Sequence, residues 1–156
     1  MGAGALTARR RRAVAVTFTA ALMVLTATGT AATTRPNVFP PQLVGTWTRT
    51  LTAADIKRAH VVPGEAEHAR PGQVLGLVVK KNGAAEVKLK GETGPIRWQG
   101  RLVSLGPDQV RITIPLDVPN AYRWHVAGRL LTFTKISDAE VFGLRKAWFW
   151  GVWRRT

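Results

Sequence analysis

Two alternating runs, Gln73 to Lys80 and Ala84 to Lys90, flank Lys81-Asn82-Gly83 and leave little choice in how they pair. A two-residue Asn-Gly turn would set Leu75, Leu77 and Val79 opposite Lys90, Lys88 and Glu86, mixing apolar and charged side chains on both faces. A three-residue loop with Gly83 in the left-handed region, followed by a bulge, pairs Val79 with Ala85, Leu77 with Val87 and Leu75 with Leu89 instead. One face is then wholly apolar, and register follows the hydrophobic pattern. The three-residue loop is therefore the expected turn.

The same grammar runs through the rest of the chain from Asn37 onward: short strands broken by turn residues, at the spacing of a sandwich or barrel. Leu43 to Leu51 opens the series. Thr52-Ala53-Ala54-Asp55 has the capping-box pattern, the hydroxyl and carboxylate each answering a free N–H, and predicts a short helix from Ala53 to Ala59. Val61 to Gly72, with two prolines and two glycines, reads as loop. Ile96 to Ser104 places Ile96, Trp98 and Leu102 on one face, with Gly100 marking a bend or bulge. Gln109 to Leu116 sends Val110, Ile112, Ile114 and Leu116 inward, and Ala121 to Ala127 groups Tyr122, Trp124 and Val126. Arg129 to Ile136 is the seventh strand. Ser137-Asp138-Ala139-Glu140 reads as a second capping box with a helix from Asp138 to about Lys146, and Trp148 to Arg154 closes the chain as a strand. Eight strands joined by short connections suit an all-β, antiparallel up-and-down barrel, which removes exposed edges.

The first 32 residues do not belong to that count. Arg9 to Arg12 form a positive block, Ala13 to Leu25 an uncharged apolar run, and Thr26 to Ala32 a small-residue stretch. That order is a secretory signal peptide, with cleavage expected after Ala31. The rival, an uncleaved anchor, needs about 20 solidly apolar residues, and this stretch turns Thr-rich after Leu25. The expected division is a signal peptide over 1–32, a linker over 33–42 and one barrel domain over 43–156. Localisation is then secreted or extracytoplasmic.

The chain has no cysteine, so disulfides, thiol chemistry and a lipidated cysteine are excluded, and burial alone must stabilise the domain. It carries 23 Lys+Arg against 9 Asp+Glu, and without Arg9 to Arg12 the excess is +10. Such a field attracts anionic partners. For an exported protein, an anionic envelope polymer or lipid surface ranks above nucleic acid. Lys80, Lys81, Lys88 and Lys90, with Arg97 beside them, form the candidate patch.

Leu43-Val44-Gly45-Thr46-Trp47 resembles the Gly-x-Trp signature on the first strand of lipocalins and related calycin barrels. Trp148 to Arg155, with Arg154 and Arg155, resembles the last strand, whose arginine packs over that tryptophan. Tyr122 to Phe133 looks like the late hairpin of small bacterial lipocalin-like domains. The resemblance implies that Gly45, Trp47 and Arg154 are structural: Trp47 plugs one end of the barrel under a guanidinium, and Gly45 lets the neighbouring backbone approach closely. The segment from Thr52 to Gly72 is closer to the helical lid of fatty-acid-binding proteins, and the usual lipocalin disulfide is absent.

No catalytic constellation can be assembled from the sequence, and no cofactor motif occurs. His60 and His68 share a loop with Glu65 and Glu67, a poorly organised set for a metal; His125 alternates to the outside. Trp98, Tyr122 and Trp124 are the candidate ligand-binding residues. An eight-stranded barrel is filled by its own side chains or holds one small ligand. Two readings follow: a carrier of a small apolar molecule, or an interaction protein, such as a calycin-like protease inhibitor or a cationic envelope-associated domain, with a solid interior.

Overall fold

The computed structural model describes residues 39–91 and 94–156, the side chains of residues 90, 91 and 94 excepted. The signal-peptide segment and most of the linker lie outside the described residues. Eight strands form a closed barrel in simple sequential order: β1 (Gly45–Thr50), β2 (Val74–Val79), β3 (Ala84–Gly91), β4 (Gly94–Ser104), β5 (Gln109–Ile112), β6 (Asn120–Ala127), β7 (Leu130–Asp138) and β8 (Gly151–Arg155). All neighbouring pairs are antiparallel, and β8 returns to β1 through Trp47↔Arg155 and Thr48↔Arg154.

The expected hairpin register forms residue for residue. Leu75 pairs with Leu89, Leu77 with Val87 and Val79 with Ala85. Gly83 has φ +79°, and a Cβ there would stand 2.5 Å from the Leu102 carbonyl oxygen, so both conformation and crowding require glycine. The first capping box also forms. Thr52 Oγ1 accepts from the Asp55 N–H and the Asp55 carboxylate accepts from the Thr52 N–H, starting α1 (Ala53–Ala59). A single 3-10 turn, Pro63–Glu65, interrupts the long loop that follows.

Three expectations fail near the C-terminal half. The strand expected over Gln109 to Leu116 stops at Ile112, because the Asn120 amide accepts from the Ile112 N–H and donates to its carbonyl, occupying both groups that a strand partner would use. Ile114 stays buried, but Leu116 points to solvent. The second capping box does not form. β7 runs on to Asp138, whose carboxylate is claimed by Arg145 and Tyr122. The helix sits later, as α2 (Leu144–Phe149). Trp148 and Phe149 therefore belong to a helix and not to the last strand, which begins at Gly151.

One end of the barrel is sealed by Trp47, whose Nε1 donates to Leu43 O at 3.0 Å. The other is covered by α1, α2 and the loop between α1 and β2. Between the caps, Leu75, Leu77, Val87, Val110, Ile112, Leu131, Phe133, Phe149 and Trp153 have no accessible surface. The inward side chains of Ile96, Trp98, Trp124 and Val126 are only half-buried and keep some accessible surface.

Candidate functional site

The three candidate ligand residues have separate partners. Trp98 is half-buried under the helical cap, 4.7 Å from Trp148 and 5.1 Å from an edge-on His68, while Trp148 Nε1 donates to the His68 carbonyl. Tyr122 is fully buried and donates its hydroxyl to Asp138. Burial first, then the bond to that carboxylate, pushes the phenol far above its ordinary pKa. It remains a donor. Trp124 is half-buried, with Nε1 enclosed and unpartnered.

Tyr122 belongs to a clamp at the helix-capped mouth. Arg145 and Asp138 form an ion pair whose side chains are both 0% exposed, with contacts of 2.5 Å and 2.9 Å. Arg145 also donates to the carbonyls of Ile112 and Leu116. It therefore ties β7 to the strand and loop on the opposite side of the mouth. Burial acts to raise the pKa of Asp138, but hydrogen bonds from Arg145 and Tyr122 outweigh it and hold the carboxyl below its usual range. A second clamp joins α1 to the start of β8. Arg49 bonds Asp55 at 2.8 Å and the Trp148 carbonyl at 2.8 Å, and Arg58 lies 4.7 Å over the Trp150 ring. A Cβ on Gly151 would stand 2.6 Å from the Arg49 guanidinium, so that seam accepts no side chain.

At the sealed end, the arginine over Trp47 is Arg155 and not Arg154, at 4.4 Å from the ring centre. Parity decides it: Trp153 and Arg155 share the inward face of β8, while Arg154 points out. Gly45, at φ +146°, faces that same guanidinium, its missing Cβ 3.6 Å from Arg155 Cζ. The close neighbour is thus a side chain, not backbone.

The outside of the barrel is divided in two. Outward positions of β3 to β6 carry Glu86, Lys88, Arg97, Gln99, Arg101, Arg111, Arg123 and His125, with Lys80 and Lys81 exposed at the adjoining turn. Glu86 is shared by Lys88 at 3.4 Å and Arg97 at 3.5 Å; Asp108 takes Arg123 and Asp117 takes Arg111. The remaining cations outnumber the carboxylates. The predicted patch is thus one corner of a larger basic wall, and the side chain of Lys90 lies outside the described residues. Arg101, Arg111 and Arg123 were missed as members because only strand order and register set them on the same outer face as Lys88. Outward positions of β7, β8, β1 and β2 are different: Leu130, Thr132, Thr134, Val152, Arg154, Thr46, Thr48, Thr50, Val74, Gly76 and Val78. Ile136 stands exposed further along β7, and Arg154 is the charged member of this set, with Lys135 of β7 lying 5.1 Å over the Trp150 ring.

His125 faces solvent, and His60 is an exposed left-handed residue at the end of α1. Among the described residues, no group of three or more His, Asp and Glu side chains gathers as a metal site.

No protein-family model matches this chain, and no curated protein matches it. Among solved structures it is similar to the lipoprotein YedD from Klebsiella pneumoniae subsp. pneumoniae MGH 78578, at 15% sequence identity and a TM-score of 0.43, over 76% of this chain and 75% of that one.

Proposed function

We propose that this protein is a non-enzymatic, extracytoplasmic barrel of the calycin type that works through its exterior, docking its basic wall on an anionic polymer of the cell envelope. The observation that carries this reading is the packed interior. Trp47, Phe133, Phe149 and Trp153, with the branched aliphatics between them, are sealed from solvent inside the barrel, which favours a protein that works through its outside. The cations stand on one side. Lys80, Lys81, Arg97, Arg101 and Arg123 are exposed there, and among the described outward strand positions of that wall Val103 is the large exposed apolar side chain, with Leu105 and Leu116 in the adjoining loops. A polyanion reads such a surface through long-range field and contact charge together.

The test is binding to a soluble polyanion such as polyphosphate at increasing salt. Affinity should fall steeply as salt shortens the Debye length from about 10 Å at 0.1 M to about 3 Å at 1 M. The double variant Arg97→Glu/Arg123→Glu should bind at least about tenfold more weakly with an unchanged circular dichroism spectrum. Salt-independent binding, or full affinity in the variant, overturns the reading.

A second reading, carriage of a small apolar molecule, rests on Trp124, half-buried beside Val126 with a free indole N–H. It predicts saturable quenching of tryptophan fluorescence by an apolar probe, lost in Trp124→Ala. Absence of saturable quenching removes it.

A further inference from the structure

We infer that the groove between β1 and β8 binds a small organic oxyanion, a phosphate or carboxylate group carried on an apolar body. The two strands pair only through Trp47↔Arg155 and Thr48↔Arg154. Beyond that point the Arg49 guanidinium is wedged against Gly151, where a Cβ would stand 2.6 Å from it. The seam opens there into a cleft of about 410 Å³ bordered by Thr48, Arg49, Thr50, Val74, Val152 and Arg154. Among the described residues, no carboxylate lines it.

Charge sets the sign of the ligand. Arg49 and Arg58 share one carboxylate, Asp55, at 2.8 Å and 2.6 Å, so the seam keeps one positive charge in excess. Arg49 Nε and Trp153 Nε1 are enclosed behind the cleft with no acceptor, and buried donors left unpaired are rare enough to mark a place short of negative charge. In front of them stands Arg154, exposed, its guanidinium without a hydrogen-bond or ion-pair partner among the described residues. A free guanidinium fork takes phosphate or carboxylate through two parallel hydrogen bonds. Register sets Thr48 directly beside Arg154, and Thr50 follows on the same outward face, paired with Val74. Both hydroxyls can donate to the same oxyanion. Toward the helix-capped end the lining turns apolar, with Val74 and Val152 exposed by 55% and 51%. The charged head of a ligand therefore belongs at Arg154 and Thr48, and its apolar body along Val152 and Val74. A neutral apolar molecule would leave Arg154 unused, and a long polyanion finds more cations side by side on β3 to β6.

Nuclear magnetic resonance titration of the isotope-labelled protein at constant ionic strength tests this, with phenyl phosphate, benzoate, inorganic phosphate and benzyl alcohol as probes. Phenyl phosphate or benzoate should shift the amides of Thr48, Thr50, Val152 and Arg154 and saturate with a Kd of about 1 mM, as suits a small ligand in an open cleft. The tighter of the two names the oxyanion. Inorganic phosphate lacks the apolar body and benzyl alcohol the charge, so each should bind at least about fivefold more weakly. Arg154→Glu should weaken binding by about tenfold or more, because it reverses the charge that meets the ligand. Arg97→Glu/Arg123→Glu, on the other wall, should leave the titration unchanged, which separates this groove from polyanion docking. All three positions face outward, so unchanged near-ultraviolet dichroism checks the fold. Absence of saturable shifts at the four groove residues overturns the inference, as does full affinity in Arg154→Glu. So does binding of benzyl alcohol or inorganic phosphate as tight as that of the organic anions, or loss of binding in the Arg97→Glu/Arg123→Glu variant.

Discussion

The two halves of the barrel wall use the same interior and opposite exteriors. Inside, β3 to β6 and β7 to β2 contribute alike: Val87, Val110 and Ile112 from the first, Leu75, Leu131 and Trp153 from the second, all without accessible surface. Outside, one half alternates apolar with charged and the other alternates apolar with threonine or valine. Folding demands only the inner half of each alternation. The outer half is free to differ from one wall to the other.

The largest expected effect comes from cutting the joint between the halves. Arg145 bonds Asp138 on β7 and the Ile112 carbonyl on β5, so Asp138→Ala leaves a guanidinium buried without its counter-charge. Loss of about 3 to 5 kcal/mol is expected, measured by urea unfolding. If the loss is under about 1 kcal/mol, the walls are joined by packing alone. Acid sharpens the same point. The folded pKa of Asp138 lies below the ordinary value of about 3.9, so its stabilisation is complete above that value and is lost as pH falls through the folded pKa. Asp138→Asn should therefore flatten the decline in stability below about pH 4 relative to wild type.

A smaller effect is expected at the sealed end, where Arg155 lies over Trp47. Arg155→Met keeps the packing and removes the charge, at a cost of about 0.5 to 2 kcal/mol by thermal or urea unfolding. Arg154→Met, one residue away and facing out, should change stability by no more than about 0.5 kcal/mol. Equal effects at the two positions would undo the parity assignment. Smallest of all, Glu86→Gln frees Lys88 and Arg97 from an exposed pair and should cost at most about 1 kcal/mol. It should also raise polyanion affinity, because the basic wall gains one net charge.

Much of this was legible without coordinates wherever neighbours in sequence are neighbours in space. The register of the 73–90 hairpin and the Thr52–Asp55 box each depend on a few adjacent residues, and both stand as read. The place of Trp47 followed from the resemblance of its Gly-x-Trp stretch to calycin barrels, and His125 facing outward from period-two alternation. Asp138 was misread for the same reason. Local grammar offered it a helix N-terminus, whereas Arg145, seven residues on, offered a buried guanidinium. Asn120 likewise ended a strand that alternation had extended to Leu116.

Amino-acid order by itself determined that this chain alternates, where it turns and which faces are apolar, because those properties are set within a few residues of the backbone. Tertiary structure alone decided which charges share a wall and which arginine lies over Trp47. Those depend on strand register and closure, which place side chains far apart in the chain within a few ångströms of each other.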